Sequence, residues 1–133
     1  IDVEASKDLE AVGLRLCGKL HVVRNKPSRV WRIHFGLHQL ADQGRASGAV
    51  VRVVLCHLCF AFGVQRCAYS VLQYFYQFVH AHLETVTAFG PHEIDELRVA
   101  AALVLVVRHS AFRPCSATAY VSDASLDGFA LLE

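Results

Sequence analysis

Residues 14–41 read LRLCGKLHVVRNKPSRVWRIHFGLHQLA, and this stretch decides the fold because its periodicity changes from β-type to helical. Its first part holds two short β-type runs, 14–17 and 20–23, separated by a glycine-lysine turn, which predicts a hairpin. From Pro27 onward apolar residues recur at helical spacing, and proline is favoured in the first turn of a helix. The stretch therefore predicts a small hairpin followed by a long helix.

The remainder of the chain predicts a mainly helical protein. Helical spacing of apolar residues recurs in 49–62 and 69–83, and a further helix at 91–109 opens on a proline with acidic residues in its first turns. Residues 2–12 are expected to form a short helix ended by a glycine. A β-type run at 118–122 lies near the end. The expected fold class is mainly α, with a short N-terminal β-hairpin, about four helices and a truncated C-terminal β-strand.

Positive charge is concentrated in one region of the sequence. The formal net charge is +1, yet residues 11–83 hold nine Lys or Arg and one Asp, for a net charge of +8. A local excess of this size attracts phosphate backbones through counterion release. The same pattern also fits an ordinary solvated face. Charge alone leaves both interpretations open.

The composition of the chain bears on its partners and on its cellular location. Hydrophobic residues make up 54% of the chain, a high value that predicts apolar surface in contact with a partner. The longest uninterrupted apolar run, 99–107, is about half the length of a bilayer-spanning helix. The first ten residues carry four acids, unlike a signal peptide, and the five cysteines form no paired framework. We therefore expect an intracellular location.

Three stretches carry a resemblance to a known family. Residues 14–31 have the order hairpin, basic turn, proline and arginine-rich helix with a tryptophan. This order resembles the hairpin and first thumb helix of reverse transcriptases from long-terminal-repeat and related retroelements. Residues 54–60 are similar to the next thumb helix, although Cys56 stands where the family commonly has glycine. Residues 120–129, YVSDASLDGF, are similar to the opening strand of retroelement ribonuclease H domains, and Asp123 matches the first metal-binding carboxylate of that site.

The resemblance implies a fragment of a polyprotein with two parts. Residues 1–112 would be a thumb- and connection-like helical region, and residues 113–133 the truncated start of a ribonuclease H-like domain. The implied function is to grip a template-primer duplex, RNA-DNA or DNA, along its phosphates. The residues expected to bind nucleic acid are Arg24, Lys26, Arg29, Trp31, Arg32 and Arg45.

Catalysis is expected only in the parent protein, which would be an RNA-directed DNA polymerase with ribonuclease H activity. The chain lacks the paired aspartates of a Tyr-x-Asp-Asp polymerase motif. Ribonuclease H chemistry needs several carboxylates around two metal ions. Asp127, on a continuing strand, would lie roughly 13 Å from Asp123. We therefore expect Asp123 to bind Mg²⁺ and to be catalytic only in a complete parent protein, with no cofactor in this chain.

Two smaller groups of residues contain side chains that can act as metal ligands. Cys56 and Cys59 form a C-x-x-C without the second pair that a structural zinc site normally has, so we interpret them as buried free thiols. His34 and His38 are spaced i, i+4 on the first long helix, a spacing that can hold a metal when further ligands are nearby. The residue directly after His34 is Phe35 rather than the glutamate of a H-E-x-x-H zinc motif. We interpret the two histidines as helix-surface residues.

A second function class stays open. In this class the chain is a non-catalytic accessory or structural helical subunit, whose apolar surface packs against a larger assembly, membrane-bound assemblies included. The high hydrophobic fraction favours it. Salt-sensitive duplex binding would support the nucleic-acid-binding function. Co-isolation with other chains would support the accessory-subunit function.

Overall fold

The structure is a computed structural model that describes residues 8–110, 121–125 and 128–132. The helices are α1 (Pro27–Gln43), α2 (Gly48–Phe62), α3 (Gln73–Ala81) and α4 (Pro91–Val106), with a 3₁₀ helix at Arg66–Val71. The strands are β1 (Asp8–Ala11), β2 (Leu14–Cys17), β3 (Val22–Asn25), β4 (Arg45–Ser47), β5 (Val86–Ala88), β6 (Arg108–Ser110), β7 (Val121–Ser125) and β8 (Gly128–Leu132). The expected class, mainly helical with N-terminal strands, is confirmed.

A four-stranded antiparallel sheet stands where a two-stranded hairpin was expected. Its strand order is β1-β2-β3-β6. The helix expected over residues 2–12 is wrong for the described residues 8–11, which form β1. The reason lies in the turn, because Val12 and Gly13 both have positive φ, 50° and 82°. Two such residues in succession are the mark of a type I′ hairpin turn, which reverses the chain and pairs β1 with β2.

The fourth strand of this sheet comes from the end of the helical region. The helix expected at 91–109 ends at Val106, and residues 108–110 instead form β6, which pairs with β3. A second, two-stranded sheet joins β4 to β5 and lies at the C-terminal end of α1.

The hydrophobic core lies between the four α-helices. The closest helix pairs are α1 with α4 and α2 with α3. Each helix contributes a fully buried side chain to this core, namely Leu37, Leu58, Phe75 and Leu97. Burial of one such side chain contributes about 1.5–3 kcal/mol. Among the helices of the described ranges, none combines the length and the apolar character needed to cross a membrane.

Side chains from distant elements satisfy two of the helix ends. Glu96 of α4 accepts hydrogen bonds from the backbone N–H groups of Tyr74 and Phe75, at 2.8 and 2.9 Å, in the first turn of α3. The buried Asn25 donates from Nδ2 to the carbonyl oxygen of Ala61, at 2.9 Å, in the last turn of α2. Terminal N–H and C=O groups have no partner within their own helix. These contacts therefore tie the helices to one another and to the sheet.

The C-terminal strand differs from the expectation in number and position. A single strand was expected at 118–122, whereas β7 and β8 form an antiparallel hairpin. Residues 118–120 lie outside the described residues. The strand that carries Asp123 ends at Ser125. The distance of roughly 13 Å expected between Asp123 and Asp127 assumed one continuing strand, so it does not apply. Asp127 itself also lies outside the described residues.

Candidate nucleic-acid interface

Two of the six residues predicted to bind nucleic acid, Arg24 and Trp31, line one open cleft of about 500 Å³. The cleft is formed by the end of β3, the first turns of α1, the last turn of α4 and β6. Arg108 of β6 lines it as well, as does Leu105. Arg108 was expected in the last turn of the helix predicted at 91–109. Its role as a neighbour of Arg24 depends on the long-range pairing of β3 with β6. We refer to this site as the Arg24–Arg108 cleft.

Three arginines stand side by side across the sheet at the edge of this cleft. Arg15 of β2 is opposite Arg24, and Arg24 is opposite Arg108. Directly opposite residues on antiparallel strands project from the same face, and neighbouring strands are about 4.7–4.9 Å apart. Arg24 and Arg108 are exposed, while Arg15 is half-buried. Arg15 is also opposite the acidic Glu10 of β1, so the like-charge repulsion is concentrated between Arg24 and Arg108. A bound polyanion would relieve this repulsion.

Trp31 places an aromatic surface beside the arginine row. Its side chain is 50% exposed. The indole stacks on Phe35, with ring centres 5.7 Å apart, and meets the ring of His34 edge-on at 5.5 Å. Phe35 is 63% exposed. Exposed aromatic rings next to cationic side chains can stack on nucleic-acid bases, and the same rings also suit a protein contact.

Lys26 has a local acidic partner. Its Nζ lies 2.8 Å from Oε2 of Glu10 on β1. The hydrogen bond and the positive charge of Lys26 lower the pKa of Glu10, and the charge of Arg15 lowers it further. Both side chains are largely solvated, so the pair is a surface ion pair of modest strength. Lys26 therefore adds less net positive charge to the surface than the sequence implies.

Arg29 and Arg32 lie away from the Arg24–Arg108 cleft. The guanidinium carbon of Arg29 is 3.9 Å from the centre of the Phe60 ring, which makes a cation–π contact between α1 and α2. Arg32 is exposed and lines a separate groove of about 420 Å³ together with Arg29 and His57. We expected both arginines to face nucleic acid. The geometry gives Arg29 a packing contact and leaves Arg32 at the surface.

Arg45 lies at the opposite end of α1. It is exposed on β4, where it pairs with Ala88 of β5. The helix has 17 residues, which at 1.5 Å per residue makes it about 25 Å long. Arg45 and Arg24 are therefore separated by roughly the length of α1. A single ligand reaches both only if it is extended, as a duplex is.

Asp123 lies on β7, opposite Ala130 of β8. Its proposed partners would come from elsewhere in a parent protein. Among the residues whose surroundings the structure describes, no three His, Cys, Asp or Glu side chains are grouped so that they could hold a metal ion. Magnesium binding at Asp123 stays a prediction.

The C-x-x-C cysteines belong to a contact between helices. Cys56 is exposed and Cys59 is half-buried, so the expectation of two buried thiols is wrong for Cys56. The Sγ of Cys59 lies 3.1 Å from the hydroxyl of Tyr76, and Tyr69 donates a 2.8 Å hydrogen bond to the carbonyl oxygen of Cys59. The hydrogen bond with Cys59, followed by burial, raises the pKa of Tyr76 to about 12. These contacts join α2 to α3 and to the 3₁₀ helix.

Comparison with known proteins leaves the family open. No protein-family model matches the chain, and no curated protein or solved structure is significantly similar to it. The likeness to reverse transcriptases therefore rests on the residues named in the sequence.

Proposed function

We propose that the chain binds the phosphate backbone of a nucleic-acid duplex through the Arg24–Arg108 cleft. The observation that carries this proposal is the exposed pair Arg24 and Arg108 on neighbouring strands, beside the half-exposed Trp31. A guanidinium group offers a fork of donors that matches two phosphate oxygens. Two exposed guanidinium groups one strand apart can hold one phosphate together or two successive phosphates. Such contacts carry no sequence information, so binding is indifferent to base sequence.

The size of the basic surface favours a duplex as the ligand. Arg24 and Arg45 are about a helix length apart, roughly 25 Å. A duplex presents one negative charge per about 1.7 Å of its axis, so one ligand can run along α1 between the two ends. Arg32 lies between them in the sequence of α1 and is exposed. Arg29 and Lys26 contribute charge from positions that are already engaged with Phe60 and Glu10.

The family resemblance supplies the wider context of this proposal. The region 1–112 would act as the thumb and connection of a retroelement reverse transcriptase, with 113–133 as the start of its ribonuclease H-like domain. The partners would be an RNA-DNA or DNA duplex and the rest of the polyprotein, inside the cell. The chain would catalyse nothing itself. Asp123 would bind Mg²⁺ together with carboxylates that later parts of the parent protein supply.

Fluorescence anisotropy with a labelled RNA-DNA hybrid and a DNA duplex of the same sequence tests the proposal. We expect binding to both, with an affinity that falls steeply as salt is added. Replacement of both exposed arginines of the cleft, Arg24→Gln with Arg108→Gln, should weaken binding at least tenfold. Arg52→Gln with Arg98→Gln is the matched control, because it removes the same two charges from exposed positions on α2 and α4 that do not line the cleft. Equal losses in the control and in the cleft variant would show that only overall charge matters.

A second candidate function is an accessory subunit that docks on a larger assembly, membrane-bound assemblies included. The observation in its favour is the exposed aromatic pair of Trp31 and Phe35 on α1. Exposed aromatic surface of this kind is enriched at the centres of protein interfaces. Trp31→Ala separates the two candidates. It should abolish co-isolation with a partner chain under the second, whereas under the first it should weaken duplex binding while the salt dependence persists.

A further inference from the structure

His34 and His38 form a pair of imidazoles on α1. Residues spaced i, i+4 lie on the same face of a helix. Their ring centres are 4.6 Å apart and the ring planes are inclined at 72°. His38 is exposed and His34 is half-buried. Two nitrogen ligands at about 2.0–2.1 Å from one tetrahedral ion lie about 3.3 Å apart. For the two residues to bind one ion together, the exposed side chain of His38 must rotate so that one of its nitrogens approaches His34 to that distance.

The ring of His34 is held in an orientation that suits metal binding. Its Nδ1 lies 2.9 Å from the carbonyl oxygen of Ala101 on α4. A carbonyl oxygen only accepts, so the hydrogen bond places a proton on Nδ1, and in the neutral imidazole Nε2 keeps its lone pair. The rings of Trp31 and Phe35 also pack against this ring in T-shaped arrangements, with centres 5.5 and 5.4 Å away. Metal-binding histidines characteristically donate their second N–H to a carbonyl or carboxylate, which fixes the tautomer and the ring.

We propose that His34 and His38 bind one divalent transition-metal ion of the nickel, copper and zinc group. Imidazole is a ligand that these ions prefer. The two histidines fill two coordination positions and leave the others to water or to a ligand from a bound partner. The site uses neither the arginines of the Arg24–Arg108 cleft nor Asp123. It adjoins that cleft, because the indole of Trp31 packs against the ring of His34, but its metal ligands are other residues.

Isothermal titration calorimetry of the untagged, chelator-treated chain with Ni²⁺ alone tests this site. Nickel is the best probe because thiolates select zinc and Cu(I) more strongly, and the exposed Cys56 would compete for those ions. We expect one ion per chain, and at least a tenfold loss of affinity in His38→Gln. His80→Gln is the matched control, because His80 is exposed near the end of α3. The control should bind nickel as the parent chain does.

A second measurement places the ion in the structure. Paramagnetic Ni²⁺ should broaden the NMR signals of residues 31–38 and of Ala101 before others. His38→Gln is the decisive variant, since His34 also bonds α4 and its loss could alter the fold. Unchanged affinity in His38→Gln, broadening centred on Cys56 and Cys59, or the absence of saturable binding would each overturn the proposal.

Discussion

Arg24→Gln should raise the stability of the chain while it weakens duplex binding. Arg24 is the middle member of the arginine row, opposite both Arg15 and Arg108. A like-charged pair directly opposite across two strands costs roughly 0.2–1 kcal/mol. Arg15 is also opposite Glu10 of β1, so the change chiefly relieves the pair with Arg108, and the free energy of unfolding should rise by about 0.2–1 kcal/mol at low salt. Arg24 is exposed, so little packing is lost.

The effect of Arg24→Gln on binding has the opposite sign. One guanidinium-phosphate contact is lost, and a hydrogen bond to a charged group contributes about 1.5–3 kcal/mol. That corresponds to a loss of affinity of at least about tenfold. The slope of log K against log salt on B-form DNA should also become shallower by about 0.9.

Urea denaturation of the parent chain and of Arg24→Gln measures the stability side of this prediction. Trp31 is the only tryptophan, so its fluorescence reports from the cleft itself. In about 1 M salt the screening length falls to about 3 Å, and the stability difference should vanish. Arg52→Gln, on α2, should leave both properties nearly unchanged. A fall in stability at low salt, or a difference that salt does not alter, would refute the electrostatic reasoning and make Arg24 a packing residue.

Four further predictions concern single residues outside the arginine row. Glu96→Ala should lower the free energy of unfolding by about 1–3 kcal/mol in urea, because it leaves two N–H groups at the start of α3 without their acceptor. Gly48→Ala should cost about 1–3 kcal/mol by the same assay, since its Cβ would lie 2.7 Å from the carbonyl oxygen of His82. Gly36→Ala, whose Cβ meets nothing within 4 Å, should instead stabilise α1 by about 0.5–1 kcal/mol. The pKa of Tyr76 is raised from 10.0 to about 12, which favours the protonated phenol in the folded chain. The contribution of Tyr76 to the free energy of unfolding should therefore be full below pH 10 and decline until it is lost as pH rises to about 12. Tyr76→Phe should reduce that decline in urea titrations between these pH values, and an unchanged decline would assign it to other groups.

The local features of the chain were predictable from neighbouring residues. Pro27 and Pro91 each open a helix where the sequence predicts one. The β-type run at 14–17 forms β2, whereas the run predicted at 20–23 is shifted by two residues and forms β3, Val22–Asn25. These elements depend on apolar periodicity, on proline in the first helical turn and on turn chemistry, which act within a few residues. The third expected helix, 69–83, contains α3, but its first residues belong to the 3₁₀ helix.

The composition of the candidate site was predictable only in part. The charge pattern and the resemblance singled out Arg24 and Trp31, and the structure places both in one cleft. The same pattern grouped them with Arg29, although its contact with Phe60 lies between two helices. A list of cations in the sequence carries no information on which of them already has a partner.

Tertiary structure alone decided the four-stranded sheet and with it the arginine row. Arg108 follows a strongly helical segment, and nothing in its neighbours predicts a strand. It becomes the neighbour of Arg24 because α4 packs along α1 and returns the chain to the free edge of β3. The N–H and C=O groups at that edge need partners, and residues 108–110 supply them. Helical and turn preferences are set by residues close in sequence, whereas strand partners are set by where packed helices bring distant segments together.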